Sequence, residues 1–104
     1  MNFLNNISVS RMNAKQKISL GRKIERLYND SIIEVAHRFD PDAEVDGEVI
    51  NNGAYELFLK YVDELNAFPD VEDFYKILGR KIHEKISIQG FEGALNNDPI
   101  RKTN

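Results

Sequence analysis

The chain has 104 residues, 41% of them hydrophobic and 30% charged, with no cysteine and a formal net charge of −3. This is the composition of one globular domain, and it excludes disulfides, thiolate metal sites and thiol catalysis. No apolar run approaches the roughly 18 residues of a membrane span, and the start Met1-Asn-Phe-Leu-Asn-Asn-Ile7 lacks the basic and apolar regions of a secretory leader, so the expected compartment is the cytoplasm and no membrane partner is expected.

The net charge conceals an uneven layout. Residues 1–26 sum to +5, residues 27–75 to −11 and residues 76–104 to +3. Basic ends therefore flank an acidic middle.

In chain order, residues 1–12 are ambiguous, because Phe3, Leu4, Ile7 and Val9 suit a strand, a helical turn or a packed arm. Asn13 is placed to cap a first helix. Leu20, Ile24, Leu27, Tyr28, Ile32, Val35 and Phe39 then form one stripe of a 3.6-residue period. Arg11, Lys15, Arg22 and Arg26 fall on the opposite side of the same wheel. Gly21 within this run costs about 1 kcal/mol relative to alanine. Ser31-Ile-Ile-Glu34 has the form of a capping box, so one helix to Phe39, or two joined near residue 30, both remain open.

The stretch from Asp40 to Gly53 carries five carboxylates, one proline and two glycines, which is turn chemistry. A second helix is expected from a cap at Asn51 or Asn52 to about Asn66, with Leu57, Phe58, Tyr61, Val62 and Leu65 inward and a Glu56–Lys60 pair on its surface. Phe68-Pro69 ends it. Asp70 is expected to cap a third helix, with Glu72 and Asp73 in the first turn, where the helix dipole favours anions. Val71, Phe74, Tyr75, Leu78, Ile82 and Ile86 continue at helical spacing until Gly90 stops them, and Phe91–Leu95 can dock as a last turn. The expected architecture is all-α, a small bundle of three to four helices. Residues 1–95 form the domain, with 96–104 a frayed tail.

Few constellations carry chemistry. Asp42, Glu44 and Asp46 stand at the first, third and fifth places of an EF-hand loop, with Gly47 at the sixth and Val49 at the eighth. Ile50 fills the ninth place and Gly53 the twelfth, where the bidentate glutamate belongs. An acidic surface turn is the plainer meaning, and a degenerate calcium loop on Asp42, Glu44 and Asp46 is the alternative. His37 and His83 are the two histidines, too few and too far apart in sequence for a zinc helix. No serine sits in a nucleophile elbow and no glycine loop suits a phosphate. Neither an enzyme nor a cofactor is expected.

The third helix resembles the Ocr antirestriction proteins of podophages, small helical inhibitors that present carboxylates in place of DNA phosphates. The residues that carry the resemblance are Pro69-Asp70, Asp73, Ile77-Leu78, Ile82, Glu84, Ile86-Ser-Ile88, Phe91-Glu92 and Ala94, in order over about a quarter of the chain. The departure is the charge: that family relies on a high excess of acids and an acidic tail, and here bases nearly balance them. The resemblance implies an inhibitor of antirestriction or immunity type and a homodimer.

The resulting expectation is a non-catalytic protein-binding module of phage or bacterial type. Asp40, Asp42, Glu44, Asp46 and Glu48, with Asp70, Glu72 and Asp73, would meet a basic or DNA-binding protein partner, and Asp63 and Glu64 would extend that surface. The alternative is a nucleic-acid-associated regulator using the basic stripe Arg11, Lys15, Arg22 and Arg26.

Overall fold

The computed structural model describes residues 7–96, with side chains to Phe91. Three helices follow one another: α1 (Ala14–Ala36), α2 (Gly47–Glu64) and α3 (Pro69–Asn96), preceded by a 3-10 turn at Val9–Arg11. Each helix packs against the other two, and the described residues contain no strand. The fold is an all-α three-helix bundle.

The first helix starts where its sequence says. Asn13 Oδ1 accepts from the Gln16 N–H at 2.8 Å, and Gln16 Oε1 accepts from the Asn13 N–H at 3.0 Å, a reciprocal capping box. The helix runs unbroken through Ser31. Instead of starting a second helix, the fully buried Ser31 donates to the Leu27 carbonyl one turn back, at 2.8 Å, which satisfies the hydroxyl without opening the helix. α1 stops at Ala36, one turn short of Phe39, and Phe39 stands exposed beyond it.

The second helix is capped five or six residues earlier than predicted. Asp46 takes that role, its carboxylate accepting from the Glu48 N–H at 3.0 Å, and an aspartate at this position outweighs the glycine after it. Asn51 lies inside the helix and is fully buried. Asn66, in the left-handed region at φ 52°, turns the chain after Leu65, as an asparagine tolerates. α3 starts at Pro69, whose missing N–H is no loss in a first turn. Asp70 is thus inside the helix, and the Phe68 carbonyl accepts from Val71 and Glu72. Gly90, at φ 73° and ψ 169°, is non-helical and stops the regular helix as expected, and a short helical segment follows it across a kink to Asn96. This kink lays the Phe91 ring over Gly47, 3.2 Å from where a Cβ would sit. The expected frayed tail lies outside the described residues, apart from Asn96, which closes α3. Phe3 and Leu4 also lie outside them.

Leu20, Ile24, Tyr28 and Val35 of α1, Ala54, Phe58 and Val62 of α2, and Val71, Tyr75 and Ile86 of α3 form the buried core, joined by Met12. Phe58 is its centre, 5.4 Å from the Tyr28 ring and 6.5 Å from the Tyr75 ring. Gly79 lets α3 close on that ring, and any Cβ there would overlap the Phe58 edge. Gly21 is different, since a Cβ would meet only Leu78 Cδ1 at 4.0 Å.

These two helical glycines should respond oppositely to alanine. Gly79→Ala is expected to destabilise by about 1–3 kcal/mol or more through overpacking. Gly21→Ala should gain about 0.5–1 kcal/mol from helix propensity. Urea unfolding midpoints of both variants check the pair.

Candidate functional site

Two antiparallel steps place α1 and α3 parallel to each other with α2 running the opposite way. The turn after α1, the start of α2 and Phe91 therefore gather at one end of the bundle. The 3-10 turn, the end of α2 and the start of α3 gather at the other. The 18 residues of α2 separate these ends by about 27 Å.

This geometry divides the predicted acidic surface. Asp40, Asp42, Glu44, Asp46 and Glu48 stay together at the first end, all exposed. Two of them shape the turn. Asp40 Oδ1 accepts from the Asp42 N–H at 3.0 Å and Asp46 caps α2. None forms an ion pair among the described residues. Asp70, Glu72 and Asp73 sit at the far end and do not join them.

Asp70 serves the fold there. Its Oδ2 accepts from the Ser8 hydroxyl at 2.5 Å and from the Val9 N–H at 2.9 Å, pinning the segment before α1 across the start of α3. The Ser8 hydrogen bond leads in holding its carboxyl below the ordinary 3.8, with the Val9, Ser10 and Val71 N–H groups adding to it against partial desolvation. Beside this clamp Ile7, Ser8, Arg11 and Phe68 line a shallow hollow, so a cation stands next to the acids of this end.

The twelve places of the calcium alternative do not take the EF-hand loop conformation. Seven of its twelve places, Gly47–Gly53, are α-helical, so the loop cannot wrap an ion as an EF-hand does. Gly53 faces the Val35 side chain at 3.1 Å from a would-be Cβ, a helix-packing contact. Among the described residues no group of three or more His, Asp or Glu is arranged to hold a metal ion.

The basic stripe is shortened. Arg11 belongs to the 3-10 turn and is cut off from the α1 wheel by Met12 and Asn13. Lys15, Arg22 and Arg26 remain in line on the exposed face of α1. The expected Glu56–Lys60 pair is not made among the described residues. The surface pairs are Arg80–Glu84 at 3.9 Å and Lys76–Asp63 at 4.0 Å.

Sequence reasoning missed an acidic cleft between α1 and α2. Leu27, Asp30, Glu34, Tyr61, Glu64 and Leu65 line it. Tyr61 donates its hydroxyl to Glu34 Oε2 at 2.5 Å, and that bond, with desolvation and the charges of Glu34 and Glu64, raises the phenol's pKa against the opposing pull of Arg38. The signal in the sequence is the i,i+4 spacing of Asp30 and Glu34, which becomes a cleft only once α2 is docked.

His83 packs rather than coordinates. Its ring stacks on Tyr55 at 4.7 Å, and its Nε2 hydrogen-bonds Asn52 Oδ1 at 2.8 Å. His37 closes α1 through its backbone N–H to the Ile33 carbonyl. No helix among the described residues is long and apolar enough to cross a membrane. No family model, curated protein or solved structure matches this chain.

Asp70 sets an acid-side prediction. Its folded pKa is depressed, so its contribution is present above the unfolded carboxylate value of about 3.9 and is lost as pH falls through the lower folded value. Protection of the Val9 amide, its exchange rate relative to the intrinsic rate at each pH, should drop across that fall. Asp70→Ala should show the faster exchange already at neutral pH, with the Phe58 amide still protected. Unchanged Val9 exchange in that variant would show that the clamp does not hold the segment.

Proposed function

We propose that this chain is a non-catalytic protein-binding module whose acidic end meets a basic or DNA-binding protein. The observation that supports the reading is the cluster Asp40, Asp42, Glu44, Asp46 and Glu48, all exposed and free of ion pairs among the described residues. The turn that carries them is tied by the Asp40 and Asp46 carboxylates, which accept from the Asp42 and Glu48 N–H groups. The charges therefore stand on a short, locally hydrogen-bonded support with most of their acceptor oxygens open. Such a patch speeds encounter with a basic surface and disfavours acidic ones.

An inhibitor of antirestriction or immunity type is the form of module that the third-helix resemblance to Ocr proteins suggests. The partner-facing acids in this proposal are those of 40–48. Asp70 is committed to Ser8 and Val9, and Glu72 and Asp73 stand with it at the opposite end.

The structure refines the test. Asp46 caps α2, and replacing it by a non-capping residue costs about 0.5–2 kcal/mol, so it is changed to serine, which caps equally well. The variant Asp42→Lys, Glu44→Lys, Asp46→Ser should keep the unfolding midpoint close to wild type, with surface effects within about ±0.5 kcal/mol per site. Its association with a partner captured from source lysate at low salt should slow markedly, and the wild-type association should weaken as salt rises. A second variant changes Arg11, Lys15, Arg22 and Arg26 to glutamine. Loss of partner binding in that variant alone, or its loss of retention on nucleic acid with a salt slope lowered by about one per phosphate contact, would favour the nucleic-acid regulator and overturn the acidic-end reading.

A further inference from the structure

Two exposed helix faces of opposite sign remain outside the acidic-end reading. At about 100° per residue, Lys15, Arg22, Arg26 and Ile33 lie within about 20° of one line along α1, opposite its buried residues. Ile33 is 52% exposed on a helix whose inner face is fully occupied. On α2, Val49, Glu56 and Asp63 recur every seven residues along a second line, again opposite the buried set. Val49 is 53% exposed. Arg22, Arg26 and Glu56 have no ion-pair partner among the described residues, and Asp63 has only Lys76 at 4.0 Å.

We propose that the occupant of each face is a second copy of this chain, the basic line of α1 docking antiparallel on the acidic line of α2. In that register Ile33 meets Val49, Arg26 meets Glu56, and Arg22 reaches Asp63. The span from Arg22 to Ile33 is about 16 Å and that from Val49 to Asp63 about 21 Å, a difference that arginine side chains cover. Lys60, also exposed, lies between Glu56 and Asp63 along α2, about 40° around the helix from Glu56 on the flank away from Asp63, so it dilutes the negative charge of that line. Docking of α1 on α1 or α2 on α2 would oppose like charges, so the charge pattern selects the head-to-tail pairing over a two-fold one.

Because α1 and α2 are antiparallel within each copy, this contact keeps all copies running the same way. Each addition leaves one basic and one acidic face open, so assembly proceeds to a closed ring or an open filament. Sedimentation velocity over a range of protein concentrations tests the proposal. Wild type should self-associate at low ionic strength and dissociate at high salt, where exposed pairs are screened. The variants Arg22→Gln/Arg26→Gln and Glu56→Gln/Asp63→Asn, each confirmed helical by circular dichroism, should associate about tenfold more weakly or not at all. Mixed in equal amounts, they retain one good face each and should stop at a one-to-one complex. A wild type that stays monomeric at low salt, or one whose assembly is unchanged by both variants, would overturn the head-to-tail contact. Arg22 and Arg26 belong to both tests, but sedimentation reads the purified chain with no partner present, so its outcome is separate from partner binding by Asp42, Glu44 and Asp46.

Discussion

One buried amide joins all three helices. Asn51 of α2 is fully buried, and its Oδ1 accepts from the Tyr28 hydroxyl of α1 at 2.7 Å. Its Nδ2 donates to the His83 carbonyl at 3.0 Å and to Ser87 Oγ at 3.1 Å, both on α3. Removing an amide from water without partners costs several times what one hydrogen bond returns, so the helices are constrained to positions where these partners meet. Among the described residues no buried side-chain nitrogen or oxygen lacks a partner. Burial raises the Tyr28 pKa, with Tyr55 adding to it, so the phenol stays a donor through the physiological range.

That fixed point sets the rest of the packing. With Tyr28 held against Asn51, its ring lies against Phe58, and Phe58 in turn occupies the space that Gly79 leaves on α3. One end of the bundle is closed by Phe91 over Gly47, the other by the Asp70 clamp on Ser8 and Val9. The acidic turn between α1 and α2 is left outside this network, and its five carboxylates are exposed. The outward lines of α1 and α2 are left outside it too, with opposite charge.

The helices were legible because their apolar positions recur every 3.6 residues and because Asn13, Pro69 and Gly90 mark boundaries by local chemistry. What the sequence hid was a competition between equally good local signals. Asp46 and Asn51 are both fit to cap a helix, and the choice went to Asp46 because Asn51 has buried partners on two other helices. Ser31 is fit to start a helix, and burial instead turns its hydroxyl onto Leu27. Asp70 is fit to cap, yet it bonds to residues 62 and 61 positions away. The candidate surface was legible in part. The turn at 40–48 is exposed as its composition suggests, while its separation from 70–73 depends on helix direction and length, and the cleft at Tyr61 depends on docking.

A double-mutant cycle on Tyr28 and Asn51 tests the joining role most directly. Tyr28→Phe leaves Asn51 Oδ1 without its donor, at about 1–3 kcal/mol. Asn51→Leu also removes the bonds to the His83 carbonyl and Ser87 Oγ, and leaves the Tyr28 hydroxyl only the residue-51 carbonyl at 3.3 Å, so its loss should be the larger. The double variant removes both groups of the pair, and its loss, read from urea unfolding, is expected to fall short of the sum of the singles by about 1 kcal/mol or more. Additivity within about 0.5 kcal/mol would contradict the account, because the two side chains would then act independently and the buried amide would not couple α1 to α2.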